Sequence, residues 1–498
     1  MTAPPPRTYR EVPPDGPRRA PAARRALARA LARVVGDGGV LWRDPELLTY
    51  DADGLVLEKF WPDLVVLPRA GAEVAAVLRA AAREGLPVTA RGAGTGLAGG
   101  CLAERGGIVL STARLDRILE LSADDRLAVV EPGVVNLELS RAAAAHGLHY
   151  APDPSSQMSS TLGGNLAANA GGPHCLKYGQ THRHVLGCVF VTGDGETVRV
   201  GGPSAGGPAL ELLGPVVGSE GTLGVVTELT VRLTPRPAAV RTFLASFDSV
   251  EAASRTVSDI IAAGVVPAAL EMIDRLIIQA VEPFVKVGLP LDAGAALLIE
   301  LDGAPAGMER RGAQIRGLCD ARGATGFREA RDDAERALLW KARKGAFGAM
   351  GRITSGFAIM DGVVPRSRLP EALRRVAEIG RRHGLTIANV LHAGDGNLHP
   401  HVLYDVDDAD AGARALRASH DILRACVELG GSISGEHGVG NEKRELMPLM
   451  CTPDDLEAMA RVKRVCDPAG RLNPDKIFPT GREPWVPRAA AGTVGTWI

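Results

Sequence analysis

Two histidines, a glutamate and a third histidine crowd into two glycine-rich stretches of this chain. Residues 392–400 read His-Ala-Gly-Asp-Gly-Asn-Leu-His-Pro, and residues 434–440 read Ser-Gly-Glu-His-Gly-Val-Gly. Imidazole and carboxylate together form the donor set of a borderline divalent metal, zinc foremost, with manganese or iron also compatible. Packing in an apolar core gives no reason to surround four polar groups with so many glycines. Asp395 followed by Gly396 signals a tight turn between two short extended segments, which folds His392 and His399 back toward each other. Glu436 then supplies an anionic third ligand and leaves coordination positions open for a bidentate substrate. His437, next along the backbone, points elsewhere and is the candidate general base. A satisfied surface or core histidine is the better account of any lone histidine here, but a poor one of this cluster.

Such a site needs a scaffold, and 498 residues supply enough chain for two or three domains. With 45% apolar residues, 23% charged residues and a formal net charge of −1, the composition is that of a soluble globular protein. That balance implies neither a nucleic-acid-binding surface nor an acidic tail. Arginine outnumbers lysine 49 to 8, but 58 acidic residues offset them. Cys101, Cys175, Cys188, Cys319, Cys426, Cys451 and Cys466 lie far apart with no C-x-x-C spacing. This argues for a reducing compartment and against an iron–sulfur cluster in this chain. No apolar run is long enough to span a bilayer, and the start lacks the apolar core of a secretory signal. The expectation is a cytoplasmic protein that meets a membrane only through partner subunits. Its first residues, rich in Pro, Arg and Ala, read as a disordered lead-in over 1–21.

A helical pattern runs over 22–33. From residue 64 the rhythm is α/β: strand 64–67, amphipathic helix 73–84, strand 87–90, then strands at 107–110, 128–130, 189–192, 197–200 and 225–233. A proline pair, Pro235 and Pro237, marks an internal boundary. Beyond it, strands at 242–246, 268–272 and 295–301 and helices at 250–263, 308–322, 334–347 and 370–383 predict a second unit of strands covered by helices.

Residues 91–100, Arg-Gly-Ala-Gly-Thr-Gly-Leu-Ala-Gly-Gly, contain the spacing G-x-G-x-x-G. The dinucleotide reading of that spacing requires a helix to follow, and none fits before the next strand. A loop whose backbone N–H groups form an anion nest, with glycines admitting a diphosphate closely, is the better account. Residues 152–156 with 161–172, and residues 218–224, are two further glycine-rich segments interleaved with Ser, Thr and Asn. Together the three could hold a large phosphate-bearing cofactor along its length.

The phrases at 91–97, 150–156, 169–179, 218–224, 392–400 and 434–443 resemble the FAD-linked oxidases whose flavin domain is of the vanillyl-alcohol oxidase or p-cresol methylhydroxylase type. The resemblance spans about residues 33–479, nearest to the branch of the glycolate oxidase FAD-linked subunits. D-lactate and D-2-hydroxyglutarate dehydrogenases form neighbouring branches. It implies an α+β protein: a two-part FAD-binding domain over 22–236, a substrate domain with an antiparallel sheet covered by helices over 237–430, a C-terminal segment 431–483 returning to the flavin, and a tail 484–498. It further implies that Arg91, Gly92, Ala93, Gly94, Thr95 and Gly96, with Asp153, Pro154, Ser155 and Ser156, line the diphosphate. Thr161, Gly164, Asn165, Gly221 and Val225 lie along the rest of the cofactor, and Asn473 sits near the ring. Relatives with covalent flavin often carry His where this chain has Thr95, so the FAD is expected to be non-covalent.

By the same resemblance His392, His399 and Glu436 match a metal-ligand set, His437 matches the catalytic base, and Arg343 matches a carboxylate-binding arginine, a role its guanidinium fork suits. Relatives acting on a dicarboxylate carry a lysine where this chain reads Phe-Ala-Ile-Met-Asp over 357–361. A long diacid would leave a carboxylate unpaired, which favours a small 2-hydroxy acid. The implied reaction is proton removal by His437 and hydride transfer from C2 to flavin N5, giving a 2-oxo acid. Iron–sulfur and flavin-related sister subunits are the implied electron acceptors, and self-assembly is left open. Alternatives are a D-lactate dehydrogenase, a D-2-hydroxyglutarate dehydrogenase disfavoured by the missing lysine, a flavin-dependent alkyl-phosphate transferase, a metal hydrolase with no use for three cofactor loops, and a non-catalytic flavin subunit.

Overall fold

The computed structural model describes residues 19–55, 58–204, 210–408 and 410–481. Most of the expected lead-in and the tail 484–498 lie outside these residues. The helical pattern expected from 22 begins as the helix Pro21–Val35, whose proline occupies the first turn where no N–H partner is lost.

Three main sheets carry the fold. The first pairs Leu64–Val66, Ile108–Ser111 and Val88–Arg91 in parallel, with the short strand Val40–Leu41 added antiparallel. Its crossover helix Gly71–Arg83 buries Val74, Val77, Leu78 and Ala81, an i, i+3, i+4, i+7 stripe that faces the strands. The second sheet is antiparallel, in the order Ile118–Ser122, Leu127–Val130, Val225–Arg232, Val185–Val191, Thr197–Gly201. The strand Ile118–Ser122 escaped the sequence reading because it is largely exposed and carries no buried alternation.

The third sheet has eight strands and starts at Ala239. Strand alternation sends Phe243, Leu270, Met272, Leu297, Ile299 and Leu391 to one face, under the helices Val250–Ala262, Met308–Ala321 and Leu369–His383. Leu244, Ile273, Ala296, Leu298 and Val390 go to the other face, under Arg275–Val285, Asp333–Lys344 and Ala346–Met350. Both faces are buried, and each Val, Leu or Ile so covered stabilises by about 1.5–3 kcal/mol. The helix expected over 334–347 is two helices, parted at Gly345.

Candidate active site

Arg91 closes a parallel strand, and residues 92–100 follow it as a loop with no helix. Loops at the carboxyl ends of parallel strands are where such sheets present ligand sites. The loop walls a cavity of about 950 Å³ lined by Arg91, Gly92, Ala93, Gly94, Thr95 and Gly96, by Pro154, Ser155, Ser156, Thr161, Gly164 and Asn165, and by Gly221 and Val225. A Cβ at 92 would lie 2.3 Å from Thr161 Oγ1, so a side chain there would force the hydroxyl that caps the next helix to move. The second glycine-rich segment is not all loop. Leu162–Ala168 is a short helix capped by Thr161, whose hydroxyl accepts the Gly164 N–H at 3.3 Å.

Two expected cofactor residues stand behind this lining. Asp153 turns to His174, 2.8 Å away, and Asn473 is buried with its amide donating to the carbonyls of Gly100 at 2.7 Å and Glu220 at 2.6 Å. Asn473 therefore ties the first and third cradle loops together.

The cavity continues to the third sheet. Strands Thr386–His392 and Asn397–Tyr404 form a hairpin through residues 393–396, with Val390 opposite His399 and Gly396 at φ +75. A Cβ at 396 would lie 2.0 Å from the Val364 carbonyl, so the turn takes glycine for both conformation and space. Val390, His392, His399 and His401 line the cavity together.

Nε2 of His392 lies 3.0 Å and Nε2 of His399 lies 3.1 Å from Glu436 Oε1. The three side chains can offer ligand atoms all within 4.8 Å of one another. The far nitrogen of His392 sits 2.9 Å from both oxygens of Glu271, and that of His399 sits 3.3 Å from the Met360 carbonyl. Both rings thus have Nδ1 engaged and Nε2 turned inward, the arrangement that orients metal-binding imidazoles. Burial alone would lower the pKa of His392, yet the Glu271 and Glu436 carboxylates lift it to about 10. The donor cluster calls for positive charge at its centre, which a divalent cation would supply in place of a proton. Nε2 of His399 is buried and, though 3.1 Å from Glu436 Oε1, is not aligned to hydrogen-bond with it, a second sign that the set fits a cation.

Residues 434–440 have no strand or helix of their own and are shaped by Asp361. That fully buried carboxylate accepts the Ser434 hydroxyl at 2.7 Å and the N–H groups of Gly435 at 2.9 Å, Glu436 at 3.1 Å and His437 at 2.8 Å. Although Asp361, His399 and His437 are also close enough to hold a metal, Oδ2 of Asp361 is already engaged by these donors and by Lys443 at 3.5 Å, and Oδ1 accepts the Glu436 N–H at 3.2 Å. It is an anchor. His437 stacks on His399 with ring centres 5.1 Å apart, and burial holds its pKa down at about 4. The ring is neutral near pH 7, its Nδ1 has no hydrogen-bond partner, and the side chain lines the cavity.

Arg343 lines the cavity too, paired through Nη2 with Glu271 at 2.6 Å, and its Nε is buried without a partner. Sequence reasoning missed Glu271, His401, Lys344 and Glu220. His401 follows His399 by two residues and so shares its strand face, a signal available from alternation. Its Nδ1 donates to the His399 carbonyl at 2.8 Å, and burial lowers its pKa to about 3. Lys344, 3.7 Å from Asp153, also lines the cavity.

A glycine-lined cleft ending at a histidine and carboxylate cluster is the site of a cofactor-binding enzyme. Residues 62–201 match an FAD binding domain family, and residues 236–477 match the C-terminal domain of the FAD linked oxidases. The glycolate oxidase subunit GlcD of Escherichia coli K12 is 46% identical, over 92% of this chain and 92% of the relative. Its Bacillus subtilis counterpart is 38% identical, over 86% and 92%. A D-lactate dehydrogenase of Archaeoglobus fulgidus is 36% identical, over 83% and 91%. Substrate-bound p-cresol methylhydroxylase shares the fold at a TM-score of 0.76 and 15% identity, over 93% of this chain and 98% of that one. The chain belongs to the FAD-linked oxidases and is an FAD-linked oxidoreductase. Among the described residues no helix is long and apolar enough to cross a membrane.

Proposed function

We propose that this oxidoreductase oxidises a small 2-hydroxy acid, glycolate foremost, to the 2-oxo acid. The observation that carries the reading is one cavity lined both by the glycine-rich cradle and by His392, His399, Glu436 and His437. In this reading residues 22–236 hold the FAD without a covalent bond, residues 237–430 supply the substrate side, and residues 431–483 return the base to the flavin.

FAD, when bound, would supply the hydride acceptor, and His392, His399 and Glu436 would hold a divalent cation whose Lewis acidity would polarise the substrate hydroxyl. His437 takes the hydroxyl proton, which it can do because it is neutral at physiological pH. Arg343 meets the substrate carboxylate from the cavity wall while Glu271 holds its guanidinium in place. Ile359, Val390 and Phe347 form apolar wall around the substrate and limit its length. Electrons leave through a partner subunit, a reading supported by the word subunit in the names of the glycolate oxidase relatives.

D-lactate oxidation is the second reading, favoured by the Archaeoglobus fulgidus relative. The test is the visible spectrum of the purified protein, followed by anaerobic bleaching with glycolate, D-lactate and D-2-hydroxyglutarate. Bleaching by glycolate at the highest rate is the expected result, and no bleaching by any 2-hydroxy acid refutes the proposal. His437→Ala should slow bleaching by about 10²–10⁴-fold with FAD retained.

A further inference from the structure

The catalytic loop is anchored from two sides. Asp361 fixes residues 434–437 to the third sheet, and the other anchor comes from the flavin side. Glu220 belongs to the third cradle segment, where its own backbone is pinned twice. Its N–H donates to the Ala167 carbonyl at 2.9 Å, and its carbonyl accepts the Asn473 amide at 2.6 Å. The residue is held at φ +52, a left-handed conformation that disfavours a non-glycine residue. Its buried side chain reaches across the cavity wall to the returning segment. Oε1 accepts the Val439 N–H at 2.7 Å, and Oε2 accepts the Gly440 N–H at 2.8 Å. Gly438 lies so close that a Cβ there would sit 2.8 Å from Glu220 Oε1.

We propose that Glu220 is a positioning residue: its carboxylate clamps the backbone at 439 and 440 to the flavin cradle and thereby sets where His437 stands relative to the flavin. The inference rests on the proposed role of His437 as base. Two oxygens acting as acceptors are what the clamp requires. A carboxylate offers both, whereas an amide turns one of its ends into a donor facing an N–H. As an anion it would bond both N–H groups about twice as strongly as a neutral acceptor, a state that burial opposes and that the two N–H groups, Lys443 and Lys476 favour. Both hydrogen bonds that its carboxylate accepts come from the returning loop, while Oε2 also lies close to Gly100 of the first cradle loop and the residue lines the cavity. The chain carries the strained backbone at 220 in order to present it.

The test uses the holoenzyme and its Glu220→Gln variant, read in three ways. FAD content and reduction of the flavin by light and a sacrificial donor report the cradle. Hydrogen exchange of residues 434–442 reports the clamp. Anaerobic bleaching by glycolate reports the base. Glu220→Gln should keep FAD and photoreduction at wild-type levels, exchange the amides of 439 and 440 at least 10-fold faster, and bleach at least 10-fold more slowly. Wild-type exchange and wild-type bleaching in that variant overturn the proposal, as does loss of FAD with exchange unchanged. If Glu220→Gln does not fold, Glu220→Asp keeps the charge one methylene short and must show faster exchange at the same two amides. If the wild type is bleached by no 2-hydroxy acid, the functional reading fails, and the exchange measurement still decides whether Glu220 clamps the loop.

Discussion

Replacing Glu271 by glutamine isolates one interaction on which the metal reading depends. The carboxylate is 1% exposed, sits 2.9 Å through each oxygen from His392 Nδ1, and pairs with Arg343 at 2.6 Å. Glutamine preserves the shape but halves the acceptor capacity and removes the charge that makes the imidazole a stronger ligand. Loss of such an outer partner costs 10–100-fold in metal affinity, or about 1.4–2.8 kcal/mol. Arg343 is also left buried without its counter-ion, so folding stability should fall by about 3–5 kcal/mol. The assay is competition between the purified protein and a chelator of known affinity, with urea unfolding in parallel. Glu300→Gln is the control, because Glu300 lies on the same sheet but contacts His174, Trp340 and Thr242. It should lose stability and keep metal affinity. Folded Glu271→Gln protein with wild-type metal affinity refutes the argument that Glu271 orients His392.

Asp361→Asn should destabilise by up to about 3 kcal/mol in urea unfolding, because buried Lys443 loses the nearer of its two carboxylates and keeps Glu442 at 3.8 Å. The same variant should lose metal and glycolate oxidation together, since Glu436 and His437 hang from that carboxylate; separate losses would refute the shared anchor. A pH effect is expected at His174, which lies between Asp153 at 2.8 Å and Glu300 at 3.1 Å, with Lys344 and Glu271 also nearby. Burial opposes its charge, but the two carboxylates lift its pKa from 6.5 to about 10. A raised folded-state value means the contribution is complete below pH 6.5 and is lost as pH rises through about 10. Asp153 and Glu300, lowered by His174 against the effect of burial, contribute above the ordinary carboxylate range and lose that contribution in acid. The urea midpoint should therefore fall between pH 6.5 and 10, and His174→Gln should flatten that slope; an unchanged slope removes His174 from the linkage.

Local chemistry made much of this protein legible in its residues. Val, Leu and Ile runs bounded by glycine and proline marked the strands of the first two sheets, because a strand's burial pattern is written in consecutive side chains. Asp395 and Gly396 marked the hairpin that brings His392 to His399, because only a few residue types accept the turn's backbone. The absence of a helix after Gly100 was equally local. Exposed or short elements such as Ile118–Ser122 left no such pattern.

What the chain alone did not determine is which distant groups complete the site. Glu271, Asp361 and Glu220 come from three separate segments and reach the ligand set, or the loop that carries Glu436 and His437, only through sheet register and loop docking. Their contacts span 121, 76 and 219 positions of sequence. No nearest-neighbour pattern encodes such distances. A buried carboxylate looks like any other glutamate or aspartate until packing removes its water, and then charge and hydrogen bonding fix what it must hold. The ligand types were therefore set by composition and spacing, whereas their protonation, orientation and distance from the flavin cradle were decided by the tertiary fold.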